Sequence, residues 1–464
     1  MAVAMRQVPI KKTRPPMITG PLPIPTAVLI IIQITLEIRP ASRPPRRLCV
    51  TLFPCSEVMA VSSSACRAGP LRRHDKRHDW ARDRPTTSLD PCSGPADVDP
   101  SYTLDGAEPD IVARVTSFAL IGAAWRADLF RQVAEGLTTV DCVGAVVRSP
   151  RDYAVPTFAS LSECVQAVHP DFVVTAVPWP VNPRVIEEAV ALGLPVLAET
   201  PPAPDLDGLR ALWTAVGSSD RVQVAEQYLL MPSHASRAAL VRSGAIGTPT
   251  QVQVSSTHQY HAMSLIRGLL GVGGGSVRVR AVQLEAPLVD PLTRAGWTDD
   301  DQPKPATTTI ATLDFGNGKS GVYDFTDNQW HNQLRFRRLT VRGSAGELHD
   351  DEVVRMVAPR TVVRTPLLRR QTGYDLDLDG FDTDHITFGD QVLYRNPYPG
   401  RRWMDEEIAI ATLLDAMASW VRDEGPPPYP LADGAQDHLL ALAIEEAVAT
   451  DQTVTTTVEP WSSA

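Results

Sequence analysis

The chain has 464 residues, 43% of them hydrophobic, and a formal net charge of −10, enough length for two or three domains each with its own core. Residues 1–114 carry 16 Lys+Arg against 11 Asp+Glu and the remainder 28 against 43. The body is therefore acidic, which excludes nucleic-acid binding that works by displacing counterions from phosphates. The six cysteines form no CxxC pair and no Cys/His cluster with zinc spacing, which argues for a reducing, cytoplasmic setting and no metal site.

Residues 1–114 are rich in Pro, Arg and Ser without a sustained period, so they bury too little apolar surface to offset the entropy of ordering. A disordered or leader-like tail is expected there. Its apolar run at 27–38 is shorter than the roughly 20 residues a membrane span needs, and Gln33 and Glu37 interrupt it, so no membrane partner is expected.

From Ser117 the texture changes. The run "SFALIGAAW" predicts a buried strand ending in a Gly turn, "ADLFRQVAEGL" an amphipathic helix, and "VDCVGAVVRSP" a second strand. Helix "SLSECVQAV", strand "DFVVTAVPWP", helix "PRVIEEAVALG", strand "PVLAE", helix "DLDGLRALWTAVG" and strand "VQVAEQ" follow. Strands alternating with helices predict right-handed crossovers and a doubly wound parallel sheet over 115–229. From residue 230 to 464 the pattern shifts to an α+β domain with a large, mostly antiparallel sheet covered on one side. Helices "SHASRAALVRSG" and "HAMSLIRGLLG" flank a strand at "PTQVQVSST". Strand-like runs then come at "SVRVRAVQLE", "TTTIATLDF", "SGVYDFTD", "QLRFRRLTVRG" and "EVVRMVA", with two late helices from Asp405 and Gly434.

Ligands of parallel sheets lie beyond the carboxyl ends of the strands. The first turn, Gly122-Ala123-Ala124-Trp125-Arg126, keeps the first glycine of a dinucleotide fingerprint but carries Ala124 where a second is usual. After the second strand, where NAD sites place an acid for the ribose hydroxyls, stand Arg148 and Ser149, with Arg151 close behind. Guanidiniums and a hydroxyl suit a 2′-phosphate, pointing to NADP rather than NAD. The later strand ends, Val177-Pro178, Glu199 and Gln227, are expected to face the same cofactor. "DLDLDG" at 375–380 starts like an EF-hand loop, but its twelfth position is Ile386, so no calcium is expected.

The stretches "FALIGAAWRADLF", "VVTAVPWPVNPRVIEEAVALGLPVLAETPPA", "VAEQYLLMPSHASRAALVRSGAIGTP" and "HAMSLIRGLLG", with "LTVRGSAGEL" after them, resemble in order the Gfo/Idh/MocA oxidoreductases. The resemblance runs from about Ser117 to Val458. It implies a Rossmann domain, then an open-faced α/β domain, with NAD(P) and a sugar, polyol or related small molecule between them. It is uneven at the chemistry. Where the family reads Glu-Lys-Pro this chain has Glu199-Thr200-Pro201, and its Asp-x-x-x-His falls on Thr257 and His261, with Ser264 where a further Asp is usual.

His261 is thus the expected acid/base. A place at a helix N-terminus keeps its ring neutral, with Tyr260 beside it and Thr200 orienting substrate or nicotinamide through its hydroxyl. His258, Trp330 and His331 are expected to line the substrate pocket. The expected activity is hydride transfer to or from a small hydroxylated or carbonyl substrate, in a dimer or tetramer. The alternatives are a redox-silent NAD(P)-binding sensor and an NAD(P)-assisted lyase or hydrolase.

Overall fold

In the computed structural model, residues 114–149, 151–293, 295–373 and 377–463 are described. The expected tail up to Ala113, and the start of the 375–380 run, lie outside them. The first sheet holds β1 (Thr116–Ile121), β2 (Val140–Val146), β3 (Thr157–Phe158), β4 (Phe172–Thr175), β5 (Val196–Ala198) and β6 (Val222–Val224). Its order is β3-β2-β1-β4-β5-β6 and every pairing is parallel. Four helices supply the crossovers: α1 (Trp125–Glu135), α2 (Leu161–Val168), α3 (Asn182–Ala191) and α4 (Leu206–Val216). Ser160 and Asp205 start α2 and α4 by accepting hydrogen bonds from the Glu163 and Gly208 amides.

Both faces of this sheet are buried, which is why its strands read as nearly continuous apolar runs. Phe118 and Leu120 pack on Phe130 and Val133 of α1, while Ala119 and Ile121 face Val185 and Ile186 of α3. The first face is completed by a helix from far along the chain, α7 (Asp405–Val421), whose Ile410, Leu413, Leu414 and Met417 are fully buried against it. Cys142 and Cys164 lie in these cores. Burial pushes their thiols up to about 12 and about 11, leaving no reactive thiolate.

The second sheet begins after α5 (Pro232–Arg242). Its strands are β7 (Pro249–Ser255), β8 (Arg278–Leu288), β11 (Lys304–Gly316), β12 (Lys319–Thr326), β13 (Arg338–Gly343), β14 (Gly346–His349), β15 (Glu352–Ala358), β16 (Thr361–Thr372), β17 (Asp382–Phe388), β18 (Gln391–Arg395) and β19 (Val454–Thr455). A small hairpin, β9 (Leu292–Thr293) and β10 (Gly296–Trp297), stands apart. The order is β18-β17-β16-β15-β14-β13-β7-β12-β11-β8-β19, antiparallel except where β12 meets β7. Helices α6 (Gln259–Leu270) and α8 (Leu431–Thr450) cover one face, packing Met263, Ile266, Leu440 and Ile444 over Val252, Val254, Leu313 and Tyr323. Val282, Leu284, Val362 and Leu368 are exposed. Among the described residues no helix is long and apolar enough to cross a membrane.

One expected strand is shorter than its apolar pattern. The run from Gln333 pairs only from Arg338, because the Gln329 side-chain amide donates to the carbonyls of both Ser255 and Phe336 and so takes the acceptors that would extend the ladder. Leu334 and Phe336 stay exposed in the resulting loop.

Candidate active site at the carboxyl edge of the parallel sheet

β1 ends in Gly122, whose φ of +122° and close approach to β4 admit no side chain: a Cβ there would lie 2.3 Å from the Ala176 carbonyl oxygen. Ala124 then N-caps α1 in extended backbone with no side-chain cap, and the first intrahelical bond runs from the Asp128 amide to the Ala124 carbonyl. The amides ahead of Asp128 have no acceptor inside the helix and form the kind of site that holds a phosphate. A cleft of about 510 Å³ opens there, lined by Ala123, Ala124, Trp125, Arg131, Asp152 and Tyr153. The turn therefore fits a dinucleotide pyrophosphate, with the Ala124 methyl as the departure from the glycine fingerprint. Gly122→Ala is expected to cost at least about 1–3 kcal/mol, read as a lower urea midpoint.

Arg148 and Ser149 are exposed just beyond β2 and make no hydrogen bond or ion pair with any other described residue. Arg151 instead donates to the Ala123 carbonyl at 3.1 Å. Asp152, which follows it, lines the cleft together with Asp128 of α1.

The ends of β4 and β5 are tied together by Asn182 at the start of α3. Its Oδ1 accepts from Thr175 Oγ1 at 2.7 Å, and its Nδ2 donates to the Glu199 carbonyl at 3.0 Å. Beyond β4, Val177 lies half-buried and Pro178 exposed, and the Thr200-Pro201 peptide is cis. Glu199 accepts from Arg126 Nε at 2.6 Å, and Arg126 Nη1 reaches Glu406 of α7 at 2.8 Å. Arg126, expected at the cofactor, is thus engaged in a buried charge network that Gln227 joins at 3.3 Å from Glu406. Burial raises Glu199 above its usual range, and the Arg126 charge opposes that.

His261, the third residue of α6, comes to the end of β6. Its Nδ1 lies 2.6 Å from Oε2 of Glu226, whose Oε1 accepts from the Tyr228 amide at 3.0 Å. Nε2 of His261 has no partner among the described residues and stays available to a ligand. The ring is held neutral, at about 3, chiefly by burial and next by the Arg126 charge, so the cause differs from the helix dipole expected from sequence. Burial pushes Glu226 up to about 8, against the Tyr228 amide and the Arg126 charge. The acid that meets His261 thus comes from beyond β6, not from position 257.

Around this pair, the Tyr228 ring lies 4.4 Å from His261, and the Tyr260 hydroxyl donates to the Thr200 carbonyl at 3.5 Å. Trp179 meets Tyr260 edge-on at 6.4 Å. His258 N-caps α6 and sits 5.3 Å from His261 and 5.0 Å from Trp330, which stacks on Phe325. His331 packs edge-on against Trp330 in the turn beyond β12. Burial, then His261, lowers His258 to about 4. Buried atoms along this edge, among them Glu199 Oε2, Gln227 Oε1 and His258 Nδ1, have no hydrogen-bond partner among the described residues, the condition a bound polar ligand would relieve. Among the described residues no group of three or more His, Cys, Asp or Glu could hold a metal ion.

No family model matches the sequence, and no curated protein matches it either. Solved structures do. An oxidoreductase from Agrobacterium radiobacter, in complex with NAD+, L-tartaric acid and magnesium, superposes with a TM-score of 0.54 at 16% identity, over 74% of this chain and 98% of that one. The chain has the Gfo/Idh/MocA fold. A myo-inositol dehydrogenase from Corynebacterium glutamicum shares that fold at TM-score 0.51 and 18% identity, over 74% and 99% of the two chains. So does levoglucosan dehydrogenase in complex with NADH and L-sorbose, at TM-score 0.53, 17% identity and 74% and 99% coverage.

Glu226, Tyr228, Trp179 and Glu406 were not singled out from sequence. Glu226 alone left a local signal, an acid directly after the apolar run of β6.

Proposed function

We propose that this chain is an NAD(P)-dependent oxidoreductase, preferring NADP, that oxidises a small hydroxylated molecule or reduces the corresponding carbonyl. The nucleotide-binding domain is residues 115–229, and residues 230–464 supply the substrate site and, through the exposed sheet residues, the contact that makes a homo-oligomer. The Glu226–His261 pair carries this reading: an imidazole kept neutral by burial, fixed at Nδ1 and open at Nε2, beside a turn built for a pyrophosphate.

Bound NAD(P) supplies or accepts the hydride; the chain supplies everything else. The Gly122 turn and the amides opening α1 hold the pyrophosphate, and Arg148 with Ser149 takes a 2′-phosphate. His261 Nε2 moves the proton at the substrate oxygen, and Glu226 fixes the ring. Thr200 contributes a hydroxyl where a lysine is usual, and Tyr260, His258, Trp330 and His331 shape the pocket.

Thr200 also favours a second reading, a nucleotide-binding sensor without turnover. Fluorescence titration of the full chain with NADPH and NADH, then 340 nm absorbance against sugars, polyols and keto acids, separates the two. Nucleotide binding without turnover on any substrate selects the sensor, and no nucleotide binding removes both. Arg148→Ala is expected to lower NADPH affinity relative to NADH about 10-fold; an unchanged ratio removes the NADP preference.

A further inference from the structure

A cavity of about 680 Å³ opens beside the His261 edge, with Tyr228, Ser256 and Trp330 in its wall. Its size is that of a small-molecule site. Tyr228 ties it to the chemistry, since that ring lies 4.4 Å from His261. The wall also carries four arginines, Arg237, Arg337, Arg338 and Arg369.

Three of these are matched by carboxylates. Arg237 pairs with Asp351 at 2.9 Å, Arg338 with Asp324 at 2.7 Å and Arg369 with Asp405 at 2.6 Å. Of the other acids in the wall, Glu406 is taken by Arg126, and Asp350 accepts the Leu339 amide at 2.8 Å. Arg337 has no carboxylate within ion-pair distance and no hydrogen bond among the described residues. Ser256, one residue beyond the Ser255–Arg338 pairing of β7 and β13, is buried in the same wall, and its Oγ has no partner among the described residues.

We propose that this cavity holds the far end of the substrate and that Arg337 binds one anionic group there, a carboxylate or a phosphate monoester. The substrate class is then an acidic sugar or polyol derivative rather than a neutral one. This rests on the reading of the His261 edge as the substrate site. A guanidinium forks onto either anion with two parallel N–H donors, and the neighbouring arginines, locked by their own acids, leave that position to Arg337. The positive potential is felt inside the cavity. Buried His234 is held well below its ordinary value first by burial and then by the charges of Arg237, Arg337 and Arg369. Ser256 Oγ offers a hydroxyl to the same ligand.

The test reads binding, not turnover, so it stands apart from the redox reading. Trp330 and Trp403 line the cavity and report on it by fluorescence. The full chain, without nucleotide, is titrated with D-glucuronate, D-glucose 6-phosphate and neutral methyl glucoside. The expected result is binding of at least one anion at least about 10-fold tighter than the glycoside, weakened by salt. Arg337→Ala should bring that anion to the level of the glycoside, and Arg337→Lys should restore part of the difference. The two anions distinguish carboxylate from phosphate. Equal affinity for all three compounds overturns the proposal, as does the absence of any anion response. Anion binding that survives Arg337→Ala but falls with Arg148→Ala also overturns it, because the anion then sits at the turn after β1. If anions bind through Arg337 while NADPH does not bind, the redox reading fails and the anion site remains.

Discussion

Replacing His261 with alanine is expected to lower kcat roughly 10²–10⁴-fold, the usual worth of a positioned acid/base, while nucleotide binding stays unchanged. The expectation follows from what remains when the ring is removed. Thr200 has no proton to give near neutral pH, and burial raises Tyr260 far above its ordinary value. Burial lowers His258 to about 4 and places it 5.3 Å from the ring it would have to replace. The alanine variant also leaves Glu226 without its 2.6 Å partner, so His261→Gln, which keeps a polar group there, separates lost chemistry from lost packing. Steady-state rates beside NADPH titrations check both. Turnover intact in both variants would move the acid/base to another group.

The fold was legible wherever burial imposes a period. Phe118, Ala119, Leu120 and Ile121 all read as apolar because both faces of a parallel sheet are covered, and the glycine after them is forced by the approach of β4. Strands β16 to β18 left no comparable trace: in β16, Val362 and Leu368 are exposed as fully as the arginines beside them, so apolar and polar residues share the outer face. The site divides along the same line. His261 could be found from its register in a local motif. Glu226 becomes its partner only through a contact 35 residues away in sequence, and Arg126 meets Glu406 across 280. Position 257 carries no acid, and the carboxyl that meets His261 comes from just beyond β6, which no local motif around the histidine could announce.

Glu226→Gln should remove a pH dependence that the Glu226–His261 pair imposes on the direction of the reaction. Groups 2.6 Å apart titrate as a pair. Burial sets the carboxyl at about 8 and the ring at about 3. Between these limits Glu226 is protonated and donates to Nδ1, so His261 carries its own proton on Nε2 and can donate it to a carbonyl oxygen. Above about 8, Glu226 is a carboxylate that accepts Nδ1–H, and Nε2 is left bare to take the proton of an alcohol. Alcohol oxidation is therefore expected to gain kcat/KM, about 10-fold per pH unit up to the inflection near 8, and carbonyl reduction to lose it over the same range. An amide at position 226 never ionises, so both profiles should flatten there, and the binding of NADPH should not change. An inflection that persists in Glu226→Gln belongs to another group. One near 6.5 in the unaltered protein would mean that the imidazolium forms, against the burial and the Arg126 charge that hold the ring neutral.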